Sequence, residues 1–279
     1  MTKEMEVKYS DLCGRLKGAG SLAVAFSAGV DSTLLLRAAA DALGSGNVLA
    51  VTALSNSFPV RENREAERFC RELGVRRITA EVDQLSIPGF RENPPDRCYI
   101  CKKVLFTKMI EAARESGFEK LAEGSNMDDL SDYRPGLRAI AELGVMSPLR
   151  EAGLTKAQIR EISQGLGLPT WNKHSFACLA TRFVYGEMVS DEKLRRVENA
   201  EELLRELGFK QYRVRIHGND GLLARIEVMP SEFTRLMENR AQITGKFREY
   251  GFDYISMDLE GYRTGSMNET LAVIFYGTT

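Results

Sequence analysis

Leu22 to Phe26 is an apolar run of strand length that feeds the small-residue turn Ser27-Ala28-Gly29-Val30-Asp31-Ser32, and Thr33 to Leu43 behind it is rich in helix formers. A strand passing through a Gly-containing turn into a helix start makes an anion site. Backbone N–H groups and the positive end of the helix dipole both face the turn. The common phosphate loop, G-x-x-x-x-G-K-[ST], carries a lysine that is missing here. The turn offers the hydroxyls of Ser27 and Ser32 and the carboxylate of Asp31 instead. A carboxylate inside a phosphate cradle calls for a cation between them, and Mg²⁺ held by Asp31 and phosphate oxygens meets that need. The competing reading is a buried strand and a structural helix capped by Ser27 or Ser32.

The same alternation continues down the chain. Helical patterns at 4–17, Val60–Leu73 and Cys101–Ser116 interleave with strand patterns at Asn47–Leu54, Arg77–Val82 and Phe118–Ala122. This predicts an α/β fold, a doubly wound parallel sheet with helices on both faces. Ligands of such sheets bind beyond the carboxyl ends of the strands. The fourth strand runs into Glu123-Gly124-Ser125-Asn126-Met127-Asp128-Asp129, too polar and small for core, and its place at a strand end brings it toward residues 27–32. A capping turn for a helix from Tyr133 uses the same residue types.

Beyond it, Arg138–Leu143 reads as helix, Met146–Leu149 as a short extended piece, and Thr155 as the cap of a helix to Leu166. Periodicity lapses from Gly167 to Glu187, a length of irregular chain that is uncommon unless functional. A charged helix (Asp191–Leu207), strands at Gln211–His217 and Leu222–Val228, a helix (Ser231–Tyr250) and strands at Phe252–Asp258 and Leu271–Tyr276 form a smaller α+β domain. The expected division is 1–167, a connecting linker at 168–189 carrying Cys178, and 190–279 for substrate and oligomer contacts.

The chain has 279 residues, 43% of them apolar, with no apolar run of membrane-spanning length and no leader-like start, which points to the cytoplasm. A net charge of −1 advertises neither nucleic acid nor a membrane surface. Five cysteines without a secretion signal argue against a disulfide framework. Cys13 and Cys70 fall in helical patterns. Cys98-Tyr-Ile-Cys101 follows Asn-Pro-Pro-Asp-Arg and opens a helix, where a thiol pKa drops. The pair has three readings: a redox couple, half a zinc site completed by His174 or His217, or part of an iron–sulfur site.

The turn at 27–32 resembles the S-G-G-x-D-S signature of the PP-loop ATP pyrophosphatases, and Gly124, Ser125, Asn126 and Asp128 resemble their second nucleotide-contacting segment. Ala28 stands where that signature has its first glycine, so an ordinary backbone is expected there. Together with NPPDRCYICKK, SFACLATRFVYGE, YRVR at 212–215 and GYRTGSMNE at 261–269, these segments resemble the LarE family over almost the whole chain. The resemblance implies an ATP-dependent sulfurtransferase that adenylates a carboxylate of a pyridinium mononucleotide, releases pyrophosphate and installs sulfur, in nickel-pincer nucleotide cofactor biosynthesis. It implies ATP at Ser27, Ala28, Gly29, Val30, Asp31, Ser32 and the 124–128 segment, with catalytic roles for Asp31 and Cys178. It further implies a [4Fe-4S] cluster on Cys98, Cys101 and Cys178, an external sulfide donor, and a homo-oligomer. Single-cysteine members instead give up the sulfur of the residue matching Cys178.

Arg182, with Arg213 and Arg215 alternating on one strand, is a clamp for the anionic substrate in this resemblance; a solvated edge-strand face is the alternative. Glu201 and Glu227 are family-based candidates for a second metal. Trp171 either stacks on a ring or packs. Rival functions are a tRNA thiolase of the same superfamily, a non-catalytic nucleotide-binding module, and an ammonia-using synthetase that lacks any glutaminase segment.

Overall fold

The computed structural model describes the chain except residues 59, 132–134, 175–176, 220–221, 264 and 269–279. Two units divide it: Met1–Asp83 with Cys98–Phe176, and Gln84–Arg97 with Ala177–Thr279. The expected strand Leu271–Tyr276 and the helix start at Tyr133 lie outside the described residues.

In the first unit β1 (Leu22–Ala25), β2 (Val48–Ser55), β3 (Arg76–Val82) and β4 (Leu121–Ala122) form a parallel sheet in the order β3-β2-β1-β4. Central β1 is apolar throughout because both its faces are covered. Leu22, Val24 and Phe26 pack against α1 (Lys3–Lys17), α2 (Val30–Leu43), α3 (Val60–Leu73) and α7 (Lys156–Gly165). Ala23 turns the other way, toward Phe106, Met109 and Ala113 of α4 (Arg97–Glu115) and Ile140 of α5 (Gly136–Glu142). The period of two along the strand therefore sorts side chains into two cores. Leu34, Leu35 and Leu36 of α2 are fully buried, each contributing on the order of 2 kcal/mol.

Three local expectations change. β4 pairs with β1 only at Leu121 and Ala122, shorter than the Phe118–Ala122 pattern. Met146 bridges Ala122, but Pro148 then opens the short helix α6 (Pro148–Glu151) instead of extended chain, since a missing N–H costs nothing at a first helical position. α4 starts at Arg97, so Cys98 and Cys101 both lie in its opening turns.

In the second unit β5 (Tyr212–His217) and β6 (Leu223–Val228) are antiparallel, and β7 (Tyr254–Met257) joins β6 in parallel. α8 (Asp191–Glu206) buries Leu194, Val197, Ala200 and Leu204. The single helix expected over Ser231–Tyr250 is two, α9 (Phe233–Glu238) and α10 (Arg240–Glu249). Asn239 Nδ2 donates to Arg235 O at 2.8 Å, occupying a carbonyl at the break. Among the described residues no helix is long and apolar enough to cross a membrane.

Candidate functional site

The strand order reverses beside β1, whose neighbours β2 and β4 leave a crevice at the carboxyl ends, where sheets of this kind bind ligands. The loops after β1 and β4 meet there. Asn126 Nδ2 donates to Asp31 Oδ1 at 3.2 Å. A Cβ on Gly124 would lie 3.0 Å from Ser32 N and 3.2 Å from the Asp31 carbonyl carbon, so a side chain here would press on that peptide. Ser27 N–H donates to Ser32 Oγ (3.3 Å), whose hydroxyl is 3.2 Å from Ser27 Oγ and from Gly29 O. Gly29 is the N-cap of α2 and no side chain caps it, so neither serine serves as the structural cap.

Ala28 has φ 55°, which corrects the expectation of an ordinary backbone. The chain leaves β1 in a turn that needs a left-handed residue at this point, and Ala adopts it at a cost of about 1–2 kcal/mol. The loop 123–129 braces itself. Glu123 accepts from Ser125 N–H (3.0 Å), Ser125 Oγ (2.7 Å) and Ser147 Oγ (2.6 Å), while Asp129 accepts from Asn126 N–H at 2.9 Å.

Two lysines join the site that pattern reading left out. Lys156, the first residue of α7, is ion-paired through Nζ with Asp31. Lys173 donates to Ala28 O (3.1 Å), Glu62 (2.6 Å) and Glu65 (2.5 Å). A cation in the first turn of a helix opposes the dipole, and that was the one local signal for Lys156. Beside the loop is a cavity of about 310 Å³ whose lining includes Ala28, Thr33, Phe69, Thr170 and Lys173. The buried hydroxyls of Thr33 and Thr170 have no hydrogen-bond partner among the described residues. Trp171 is 37% exposed, which does not fit packing in the core.

None of the five cysteines is in a disulfide. Cys98 is half-buried and Cys101 buried in the first unit, whereas Cys178 is exposed in the second. Tyr99, between the first two, donates to Glu142 at 2.9 Å and lies under the Arg138 guanidinium at 3.9 Å, anchoring the start of α4 to α5. Within the second unit Arg97 donates to Ala180 O (2.9 Å) and to Asn93, which itself donates to Val184 O at 2.6 Å. The residue before Cys98 is thus tied to the residue two beyond Cys178. His217 accepts from Arg225 at 3.2 Å; burial and the Arg225 charge push its pKa down. Among the described residues no three His, Cys, Asp or Glu side chains gather as a metal group.

The arginines are not on a solvated face. Arg182, 0% exposed, grips Glu201 with two bonds of 2.7 and 2.9 Å. Arg215 grips Glu227 at 3.0 and 2.9 Å and donates to Thr181 O at 2.9 Å. Arg213 donates to Tyr212 O at 2.7 Å and stacks over Tyr262 at 5.2 Å. β5 is an edge strand, but Phe183 bridges Ile216 along that edge and helps cover it. Glu201 and Glu227 are accordingly partners of arginine. Burial and the Arg182 charge push the Arg213 guanidinium down to about 10. Burial alone would raise the Glu201 carboxyl, but the Arg182 charge and hydrogen bonds hold it below the usual carboxylate range.

A parallel sheet whose switch point joins an uncapped helix start, an acidic small-residue loop and a second polar strand end defines a PP-loop α/β protein of the ATP pyrophosphatase type. No protein-family model matches the chain. It is 37% identical over 267 residues to the pyridinium-3,5-bisthiocarboxylic acid mononucleotide synthase of Lactiplantibacillus plantarum, covering 96% of each chain. An uncharacterized protein of Synechocystis sp. is 40% identical over 250 residues, 89% of this chain and 92% of that one. The argininosuccinate synthase of Haloarcula marismortui is 27% identical over 163 residues, 55% of this chain and 39% of the synthase. The chain belongs to the LarE family of pyridinium-3,5-bisthiocarboxylic acid mononucleotide synthases.

Proposed function

We propose that this chain is an ATP-dependent sulfurtransferase that turns a carboxylate of a pyridinium mononucleotide into a thiocarboxylate for nickel-pincer nucleotide biosynthesis. A carboxylate oxygen is a poor leaving group. The substrate carboxylate attacks the α-phosphorus of ATP, the bond to pyrophosphate breaks, and an acyl adenylate results. A sulfur nucleophile then adds to the acyl carbon and AMP departs with the carboxylate oxygen. The contact between Asn126 and Asp31 across the switch point, beside the uncapped start of α2, carries this reading. Backbone N–H groups of Gly29 to Ser32 and the two serine hydroxyls cradle the pyrophosphate. Asp31, a hard oxygen donor at a phosphate cradle, is the ligand suited to Mg²⁺, which neutralises phosphate charge when bound.

Cys98, Cys101 and Cys178 are the thiolates we assign to a [4Fe-4S] cluster, which when bound would carry the transferred sulfide. The bond from Arg97 to Ala180 O supports that assignment, because it links the chain beside Cys98 to the segment of Cys178. A second reading, Cys178 as sacrificial donor, is favoured by its exposure. Arg213, whose charge is disfavoured by burial and by Arg182, gains most from a substrate anion; Arg182 and Arg215 orient the wall around it.

Anaerobic purification followed by iron and sulfide analysis separates these readings. The cluster version expects about four iron atoms per chain, lost in Cys98→Ala. Iron-free wild-type protein whose Cys178 loses its sulfur in one turnover establishes the sacrificial version. Asp31→Ala is expected to abolish pyrophosphate release while the fold persists; retained release would remove Asp31 from its role.

A further inference from the structure

Asn126 stands where the two loops of the switch point meet, yet almost none of it faces outward. It is 2% exposed, whereas the Asp31 side chain it touches is 22% exposed. Three bonds fix the residue. Its main-chain N–H donates to Asp129 Oδ2 at 2.9 Å, and its Oδ1 accepts from the Asp128 N–H at 3.0 Å. The second bond sets the polarity of the amide, because a main-chain N–H only donates and so faces the oxygen. Nδ2 is thereby committed to the Asp31 side, where it donates to Oδ1 at 3.2 Å. Turning the amide over would set donor against donor at Asp128 and oxygen against carboxylate at Asp31. The loop is held from outside as well, since the Met127 N–H donates to Leu154 O at 2.9 Å.

We infer that Asn126 is the positioning residue of Asp31, and that it acts through that carboxylate and not on the nucleotide. A carboxylate free to turn about its last bond must be ordered when a cation arrives, whereas one already pinned meets the cation in place. The pin is a neutral donor, so it adds no positive charge to repel the metal. It occupies one lone pair of Oδ1 and leaves the other open, so pin and divalent cation do not exclude each other. The burial of Asn126 and the exposure of Asp31 divide the work accordingly: the aspartate faces the ligand and the asparagine fixes the aspartate. This inference rests on the proposed role of Asp31 as the Mg²⁺ ligand at the pyrophosphate cradle.

The quantity that tests it is the factor by which Mg²⁺ tightens pyrophosphate. Wild type, Asp31→Ala, Asn126→Ala and Asn126→Asp are titrated calorimetrically with pyrophosphate in chelator and with magnesium pyrophosphate. Asp31→Ala should abolish the factor. Asn126→Ala should lower it about tenfold, as the loss of an outer partner of a metal ligand does, while metal-free pyrophosphate binds as in the wild type. Asn126→Asp keeps the bond from the Asp128 N–H but sets a second carboxylate against Asp31. Metal-free pyrophosphate should then bind more weakly and the magnesium factor should exceed that of the wild type, a reversal of sign that a merely structural residue would not give. An unchanged factor in Asn126→Ala, or an equal loss with and without metal, overturns the inference while Asp31 keeps its metal. If Asn126→Ala fails to fold, the isosteric Asn126→Asp decides, and a factor no higher than the wild type's overturns the inference. A wild type to which Mg²⁺ adds nothing, or an Asp31→Ala variant that keeps the full factor, overturns the inference and the metal assignment together.

Discussion

At the scale of single residues, the strained and the buried-charged positions make the sharpest demands. Ala28 sits at φ 55° with 2% exposure, and its carbonyl accepts from Lys173. Ala28→Gly is therefore expected to be neutral or to stabilise by up to about 1 kcal/mol in urea unfolding, against the usual cost of glycine. Ala28→Val should lose at least about 2 kcal/mol, because β-branched residues resist positive φ. Glu201 carries the opposite kind of demand. Glu201→Gln leaves the Arg182 charge buried without its counterion and should cost about 3–5 kcal/mol in chemical denaturation. The wild-type carboxyl is held below its unfolded value. Its contribution is thus complete above the unfolded pKa of about 4.3 and is lost as pH falls through the lower folded value. The acid limb of a stability–pH curve should accordingly flatten in Glu201→Gln.

Elements matter here through where they end. α2 begins on an uncapped glycine, α7 on a capping box, and β4 stops after Ala122 so that Glu123–Asp129 can fold over the first loop. Gly124 makes that approach possible. Gly124→Ala would press a methyl on the Asp31–Ser32 peptide, and an overpacked contact of this kind costs about 1–3 kcal/mol. Because the strain falls on the loop and not on either core, ATP-dependent pyrophosphate release should drop tenfold or more while the thermal transition moves by only a few degrees. An equal loss of activity and of cooperative unfolding would show the loop to be part of the core. Two helix starts were legible in advance. Thr155 announced α7, and the run from Val60 to Leu73 has the bounds expected. The break at Asn239 was not, since its side chain decides the matter by bonding back to Arg235 O.

Across the whole molecule the segment Gln84–Arg97 groups with the C-terminal unit, though it lies between β3 and the cysteines of α4. Arg97, 3% exposed, ties that segment into its own unit through Asn93 and Ala180. Arg97→Met leaves those acceptors unsatisfied, at about 1–3 kcal/mol. Under the proposed cluster and pyrophosphate assignments, iron bound per chain should fall several-fold with it, while magnesium pyrophosphate binding at the first loop stays at the wild-type level; intact iron content would show that this tie does not serve the cysteines. What the amino-acid order determined unaided was short in range. Strand and helix periods, the acidic turn after β1 and the cap before α7 all follow from interactions a few residues apart. The tertiary structure alone decided that Asp31 meets Lys156, that Arg182 and Arg215 meet glutamates instead of water, and that Ala28 turns left-handed. Those pairings bring together charges from 12 to 125 positions apart. No local pattern carries such information, because burial is what gives these pairings their strength.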